Sequence, residues 1–322
     1  MIYIRLRTTD PYYNLAVEEY LLRHTEEDVF MLWQNVSTVV IGKNQNAYAE
    51  VDLAYAKEKG IRVARRLSGG GAVYHDVGNV NYTFITSEKK AAALDYAYFT
   101  KPIIAALATL GITAELSGRN DLEACGRKFS GNAQYVGSGR VLHHGTLLFN
   151  ADVSVMGKVL RTDKEKLAMR AVKSHKGRVV NLAELLPKSF TVEDFISHVE
   201  KFVLDTFAPD VISAPENETV AALCARNAKD EWNLSEKQFL TEYAVVRKRR
   251  YPFGSVEIAL SFAGDVIRSV RITGDFFGTK PIEDLENALV GSKRNSQISI
   301  DPAPYIAGMT GELLWELLWQ QG

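Results

Sequence analysis

The sequence predicts an α/β protein with a large N-terminal domain and a small C-terminal one. The chain has 322 residues, about twice the length of a typical domain. Strand-length apolar runs alternate with capped helical segments over most of the chain. After residue 246 the pattern changes to two alternating strands and two helices. We therefore expect domains at residues 1–245 and 246–322.

The N-terminal domain is expected to open with a strand at residues 2–6. Asp10 and Pro11 then supply an N-cap and an N1 proline for a helix. Further strands are predicted at residues 30–33, 38–41, 61–64, 80–85 and 112–116. Helices are predicted at residues 51–59 and 102–110, which end at Gly60 and Gly111.

The rest of the chain continues this alternation. Glycines divide residues 120–150 into short strands, with a good hairpin turn at Gly137-Ser138-Gly139. Helices are predicted at residues 195–207 and 219–227, separated by a loop at 209–215. The C-terminal part has predicted strands at 256–262 and 266–272 and predicted helices at 282–289 and 311–319.

Composition excludes several classes of protein. With 46% hydrophobic and 24% charged residues, the chain is typical of a soluble globular protein. Thirty-eight basic residues balance 39 acidic ones, which argues against a nucleic-acid partner. Membrane spans and a signal peptide are not expected, because no long apolar run occurs. Two cysteines without a CxxC pair exclude a disulfide framework. We expect a cytoplasmic monomer.

A glycine-rich stretch at residues 65–76, RRLSGGGAVYHD, is the strongest chemical signal. Three successive glycines let the backbone approach a ligand, and their amides can form an anion-binding nest. Arg65 and Arg66 add positive charge suited to phosphate or carboxylate. A sharp turn beside two solvated arginines explains the stretch equally well. No standard phosphate-loop or dinucleotide fingerprint is present.

Three other segments carry candidate chemistry. Lys128 lies between glycines and would stabilise a developing oxyanion, unless it is an ordinary surface lysine. His143 and His144 point to opposite faces of a strand, which favours one core and one cleft histidine over a metal site. The basic residues 164–181 form either a solvated face or a lid. Cys125 is a weak nucleophile candidate, since lone cysteines are usually packing residues.

Taken together, these segments resemble the lipoate–protein ligase family. The resemblance rests on residues 65–79, 118–122, 126–131 and 143–148, with 42–46 as a further matching loop. Residues 274–277, GDFF, resemble the small accessory domain of that family. The resemblance implies a catalytic domain of the class II synthetase and biotin-ligase type, with mixed sheets and flanking helices, followed by a small α+β accessory domain.

The resemblance also implies a two-step reaction. Lipoate, or octanoate in its place, would attack the α-phosphate of Mg-ATP to give lipoyl-AMP. A lysine of an acceptor lipoyl domain, in a 2-oxoacid dehydrogenase E2 subunit or the glycine-cleavage H protein, would then take the lipoyl group. Two anions must meet in this reaction, which requires converging cations and amide dipoles in a water-poor site.

Site roles follow from the resemblance. Lys128 would be the catalytic residue and would contact both substrates. The residues expected to bind ATP and the adenylate are Arg66, Gly71, Ala72, Val73, Tyr74, His75, Asn120, Asp121 and Lys128. Those expected to bind lipoate are Leu67, Gly70, Gly71, Val73, Tyr74 and Lys128. Asp121 is also the candidate magnesium ligand, and residues 167–182 would order over the adenine.

Three alternatives remain open. An octanoyl or lipoyl transferase of the same superfamily would need a cysteine after the His-Gly strand, whereas Cys125 precedes it. A non-catalytic lipoate-binding relative would be expected to lose the lysine or the glycines, and this chain has both. A biotin ligase would need a different glycine loop.

Overall fold

The computed structural model describes residues 1–161, 179–234 and 243–320. The strands are β1 (Ile2–Arg5), β2 (Val29–Trp33), β3 (Thr38–Ile41), β4 (Arg62–Arg65), β5 (Val73–His75), β6 (Asn79–Ser87), β7 (Ala114–Ser117), β8 (Asp121–Ala124), β9 (Arg127–Gly137), β10 (Arg140–Leu148), β11 (Asp210–Val211), β12 (Val245–Tyr251), β13 (Gly254–Ala263) and β14 (Val266–Gly274). The helices are α1 (Pro11–His24), α2 (Ala47–Glu50), α3 (Leu53–Glu58), α4 (Tyr96–Ala108), α5 (Val153–Val159), α6 (Val192–Phe207), α7 (Glu218–Asn227), α8 (Asp230–Asn233), α9 (Ile282–Leu289) and α10 (Gly311–Trp319), with a 3₁₀ turn at Leu182–Leu185.

A mixed eight-stranded sheet in the order β11-β1-β2-β6-β10-β9-β8-β7 forms the scaffold. β1 pairs in parallel with β11 and β2, and the remaining neighbours are antiparallel. Both faces of β2 are buried. Phe30 packs in a core that includes Phe99 of α4 and Phe195 of α6, whereas Met31 packs with residues of α1. This explains why β2 is apolar throughout rather than alternating.

A smaller sheet in the order β4-β3-β5 carries the glycine loop. β4 runs parallel to β3 and β5 runs antiparallel to it, so the connection between β4 and β5 crosses over the end of β3. Gly42 follows β3, and a Cβ atom there would lie 2.2 Å from the Gly70 carbonyl oxygen. Only glycine at position 42 therefore lets the loop pass so closely.

The C-terminal part is an antiparallel sheet in the order β12-β13-β14, packed against α9 and α10. Ile258, Leu285 and Leu314 lie together in its own buried core. With the mixed sheets and flanking helices of the N-terminal part, this small α+β unit confirms the predicted fold class. No helix in the described ranges combines the length and apolarity needed for a membrane span.

Most predicted elements are present. The α9 and α10 bounds match their predictions residue for residue. The predicted turn at residues 137–139 joins β9 to β10, with Ser138 and Gly139 at φ 57° and 70°. Such positive φ values are those of a type I′ hairpin turn. The basic stretch 164–178, and with it most of the predicted lid, lies outside the described residues.

Several element predictions were wrong or incomplete. The helix predicted at residues 51–59 spans Leu53–Glu58, and the short helices α2, α5 and α8 were not predicted. The helix predicted from residue 102 begins at Tyr96, because Asp95 caps it and Pro102 is accommodated inside. The loop predicted at residues 209–215 contains the two-residue strand β11. β5 and β12 were missed, since β5 is very short and β12 is rich in arginine. β12 begins at Val245, and the domain boundary predicted there stays a prediction.

Candidate active site

A cavity of about 140 Å³ opens where the two sheets and the C-terminal part meet. The glycine loop and Lys128 both line it, so the structure brings together the two strongest sequence signals. The predicted site residues that line the cavity are Arg66, Gly70, Gly71, Ala72, Val73, His75, Asn120 and Lys128. Lining residues that the sequence analysis had not assigned include Leu15, Trp33, Asn81, Asn132 and Phe277.

The floor of the cavity is a row of residues across the large sheet. Trp33 is paired with Asn81, and Asn81 with Thr146. The Thr146 hydroxyl accepts a hydrogen bond from the Gly131 amide at 3.0 Å, and Gly131 is paired with Asp121. With strands about 4.8 Å apart, the three steps from Trp33 to Gly131 span roughly 14 Å. The row runs from an aromatic end to an end beside Lys128.

Lys128 reaches the cavity because β9 is irregular. Its register against β8 shifts between Leu122 and Glu123, which puts one extra residue on β9. A bulge of this kind re-aims a side chain, and the Lys128 amine would lie 3.2 Å from a Cβ atom at Gly131. The amine forms an ion pair with the Asp121 carboxylate at 2.7 Å. Both side chains are about one-third exposed, so this pair can exchange with an anionic ligand.

Arg66 shapes the opposite wall of the cavity. Its guanidinium donates to the carbonyl oxygens of Val40, Gly69 and Gly71, at 3.1, 2.7 and 2.8 Å. Burial lowers the pKa of this guanidinium to about 10, so it is charged at neutral pH. Because most of its donors are used on the loop, Arg66 organises the glycine amides more than it contacts a ligand. Arg65 is also buried, and it donates to the carbonyl oxygens of Gly42, Lys43 and Gln45.

His75 is a neutral lining residue. The Asn35 side-chain amide donates to its Nδ1 at 3.1 Å, so the ring proton is on Nε2. Burial, with the nearby positive charge of Arg66, lowers the pKa of His75 to about 3. Its Nε2 is buried without a partner among the described residues, as is the Asn81 side-chain nitrogen. The cavity therefore offers two free hydrogen-bond donors near its aromatic end.

The C-terminal part closes the cavity. The Gly70 amide donates to the Phe276 carbonyl oxygen at 3.0 Å, and the Phe277 ring lines the cavity. That ring packs edge-on to Tyr96, and the Arg119 guanidinium lies 5.2 Å from its centre. A Cβ atom at Gly70 would lie 2.8 Å from the Phe277 ring. Sequence reasoning missed Phe277, because its contact with the loop spans about 200 positions of the chain.

Three predicted site residues do not line the cavity, and one of them, Asp121, forms an ion pair with Lys128, which does. Tyr74 packs with Val39 and Ile41 in the core of the small sheet, because β5 alternates and only Val73 and His75 face the cavity. Leu67 packs against the α1 side of the large sheet and lines a separate cavity of about 40 Å³. The assignment of Tyr74 and of Leu67 to a ligand is therefore corrected.

The histidine, cysteine and metal-ligand candidates differ in whether they reach the cavity. His143 is fully buried and stacks on Phe99, whereas His144 lines the cavity, which confirms the expectation of one core and one cleft histidine. Cys125 lies exposed in the turn before β9 and does not line the cavity. Within the described ranges, no group of three or more histidine, cysteine or acidic residues could chelate a metal. Asp121 is a single carboxylate at the Lys128 end, which suits a magnesium ion that keeps phosphate and water ligands.

The fold is that of lipoate ligases with solved structures. LipL1 of P. falciparum, solved in complex with lipoate, superposes with a TM-score of 0.78 at 24% identity, covering 94% of this chain and 92% of that one. A bipartite lipoate protein ligase of Thermoplasma acidophilum, described with its E2 lipoyl domain, superposes with a TM-score of 0.62 at 25% identity, covering 76% of this chain and 98% of that one. A lipoate-protein ligase A bound with ATP superposes with a TM-score of 0.60 at 25% identity, covering 72% of this chain and 97% of that one.

The sequence comparisons identify the family. The model of the lipoyl protein ligase A/B catalytic domain matches residues 10–203, and that of the bacterial lipoate protein ligase C-terminus matches residues 241–299. The chain is 38% identical to lipoate-protein ligase LplJ of Bacillus subtilis, over 91% of this chain and 90% of that one. It is 36% identical to lipoate–protein ligase 1 of Staphylococcus aureus, over 88% and 87%. The chain belongs to the lipoate–protein ligase family, and it is an enzyme of the ligase class.

Proposed function

We propose that the chain is an ATP-dependent lipoate–protein ligase that forms lipoyl-AMP. The observation that carries this proposal is a single cavity lined by the Lys128 amine, by the glycine loop and by apolar and aromatic residues such as Trp33 and Phe277. An anionic head group fits beside the amine, and an apolar tail fits along the apolar and aromatic lining. Lipoate, which is bound in the similar P. falciparum structure, has such a head group and tail, and ATP, which is bound in a similar ligase structure, carries anionic phosphates.

In the first half-reaction, a lipoate carboxylate oxygen attacks the α-phosphorus of ATP. The bond between that phosphorus and the bridging oxygen breaks, and pyrophosphate leaves. Lys128 gives up its ion pair with Asp121 and neutralises the carboxylate and the α-phosphate, whose mutual repulsion opposes the attack. The acyl tail then lies along the floor row towards Trp33. Octanoate, which has the same polarity, fits the same path.

The glycine loop supports this step through its backbone. Gly71, Ala72 and Val73 line the cavity, and their amides are available to nucleotide oxygens. Asn120 lies at the same end as Lys128, and His75 offers an Nε2 proton nearer the aromatic end. Asp121 and the phosphates would hold Mg²⁺, which supplies charge neutralisation when bound.

In the second half-reaction, the ε-amine of an acceptor lysine attacks the carbonyl carbon of lipoyl-AMP. An amide bond forms, the bond to the phosphate oxygen breaks, and AMP leaves with the negative charge. We propose lipoyl domains of E2 subunits and the glycine-cleavage H protein as acceptors. The similarity to a ligase described with an E2 lipoyl domain supports this choice. A cytoplasmic location, on the lack of a long apolar run, and a monomeric state, taken as the default, complete the proposal.

Pyrophosphate release tests the proposal. Wild-type protein with Mg-ATP should release pyrophosphate only when lipoate or octanoate is added, and biotin should not replace them. Tight lipoate binding without release would instead indicate a binding protein. A transferase would transfer acyl groups without ATP and would lose that activity in Cys125→Ala, whereas a ligase should tolerate this change because Cys125 is exposed away from the cavity.

A further inference from the structure

A continuous chain of buried hydrogen bonds links the glycine loop to α1. The Arg66 Nε donates to the Ser68 hydroxyl at 3.0 Å, and that hydroxyl lies 2.7 Å from His144 Nε2. His144 Nδ1 lies 3.1 and 3.2 Å from the two carboxylate oxygens of Glu18. Ser68, Glu18 and Arg66 are less than 7% exposed, and His144 is 7% exposed. We call Glu18, His144 and Ser68 the relay.

The proton positions in the relay follow from its two ends. Arg66 only donates, so the Ser68 oxygen accepts from it. The Glu18 carboxylate accepts from His144 Nδ1, and in a neutral ring this leaves Nε2 to accept the Ser68 hydroxyl proton. Glu18 also accepts from the Thr83 hydroxyl at 2.5 Å.

The order serine, histidine, glutamate is that of a hydrolase triad, but the relay lacks a free nucleophile. Ser68 is 0% exposed and does not line the cavity. Its oxygen already accepts from Arg66, which withdraws electron density from it. The hydroxyl therefore transmits a hydrogen bond and does not attack a substrate.

The relay provides a counter-charge for the buried Arg66 guanidinium. Arg66 is a buried cation, and no carboxylate in the described ranges forms a salt bridge with it. A buried charge is costly without a counter-charge or hydrogen bonds. Glu18 is the charge opposed to Arg66 across two neutral side chains. Its removal would leave the guanidinium with neutral hydrogen-bond acceptors alone, which are three carbonyl oxygens and the Ser68 hydroxyl.

We propose that Glu18, His144 and Ser68 are positioning residues, which fix the Arg66 guanidinium so that it holds the carbonyl groups of Gly69 and Gly71 and thereby sets the loop amide of Gly71, which lines the cavity, for the nucleotide phosphates. This inference rests on the proposed function. The relay acts through Arg66 on ATP rather than on the acyl tail, because the carbonyls that Arg66 holds belong to the loop. Loss of the relay should therefore affect ATP more than lipoate.

Glu18→Gln is the decisive variant, with Glu19→Gln as its matched control. Glutamine keeps one acceptor oxygen for Thr83 and His144 but removes the charge. Glu19 is a neighbouring buried carboxylate on α1 that pairs with Arg23 and Arg226 instead. In lipoate-dependent pyrophosphate release, Glu18→Gln should raise the KM for ATP about tenfold or more, the scale of a hydrogen bond to a charged group. The KM for lipoate should change by less than about threefold, and Glu19→Gln should change neither KM to that extent.

A double-mutant cycle tests whether the relay acts as a unit. Ser68→Ala alone should raise the KM for ATP by a factor similar to that of Glu18→Gln. The KM for ATP of the double variant should be no higher than that of the more impaired single variant. The thermal midpoint of each variant separates misfolding from loss of positioning. If the Glu18→Gln protein does not fold, Ser68→Ala against Glu19→Gln makes the same comparison.

Three results would overturn the inference. These are effects that multiply in the double variant, equal changes in both KM values, and labelling of Ser68 in the native protein by a serine-reactive fluorophosphonate. Wild-type protein that releases no pyrophosphate with lipoate would instead reject the proposed function. The two failures are therefore distinguishable.

Discussion

The two cationic walls of the cavity are built in opposite ways. Arg66 is buried, and its guanidinium is held by three carbonyl oxygens and the Ser68 hydroxyl. Lys128 is about one-third exposed and has one ion-pair partner, Asp121. The first wall is preorganised before any ligand arrives, whereas the second can exchange its partner for a substrate anion. A preorganised group needs no reorganisation at the moment of reaction, whereas the Lys128 amine must first leave Asp121.

The largest effect should come from the exchangeable wall. Lys128→Ala should lower turnover by about 10²–10³-fold, the scale of removing one charge-stabilising donor. Binding of lipoate or ATP should remain measurable, since the glycine loop is intact. Arg127→Ala is the control, because Arg127 is the adjacent residue and pairs with Glu184. Normal turnover of Lys128→Ala would reject its catalytic role.

The buried wall should make stability depend on pH. His75 has a pKa of about 3 in the folded protein, below the ordinary value of 6.5. The unfolded chain therefore binds the extra proton first as the pH falls. Stability is at its full value above pH 6.5 and is lost between pH 6.5 and 3, by up to about 1.4 kcal/mol per pH unit for this residue.

His75→Gln should reduce that slope. Urea unfolding at several pH values measures the slope. The difference in unfolding free energy between the variant and the wild type should be constant above pH 6.5. A slope that is the same in both proteins below pH 6.5 would show that His75 is not held neutral.

The glycine loop should tolerate change at one position and not at the next. Gly70 has a φ of 87°, and a Cβ atom there would lie 2.8 Å from the Phe277 ring. Gly70→Ala should cost about 1–3 kcal/mol of unfolding free energy. Gly71→Ala is the matched control, since nothing lies within 4 Å of its Cβ position. Equal stability of the two variants would contradict the close contact with the C-terminal part.

The smallest effect on stability should come from the ion pair itself. Asp121→Asn should change the unfolding free energy by less than about 1 kcal/mol, because both side chains are partly exposed. Titration of activity with Mg²⁺ should show a higher concentration for half-maximal rate if Asp121 holds the metal. An unchanged Mg²⁺ requirement would remove Asp121 from that role.

Periodicity and caps predicted much of the fold, because they are local. The apolar stripes of α9 and α10 and the turn at Gly139 depend on neighbouring residues only. Strand β12 was not predictable in this way, since its arginines gain their partners from distant segments such as Glu316. The 3.6-residue pattern likewise did not predict that α4 begins at Tyr96 and continues through Pro102.

The sequence by itself determined which residues could carry the chemistry. The glycine run, Lys128 and the paired histidines stand out because they resemble, in the same order, the motifs of the lipoate–protein ligase family. Only the tertiary structure decided that an irregularity in β9 turns Lys128 to the glycine loop, that Tyr74 faces the core, and that Glu18 opposes Arg66 across Ser68 and His144. These outcomes depend on strand register and on contacts between residues far apart in the chain, which no local pattern encodes.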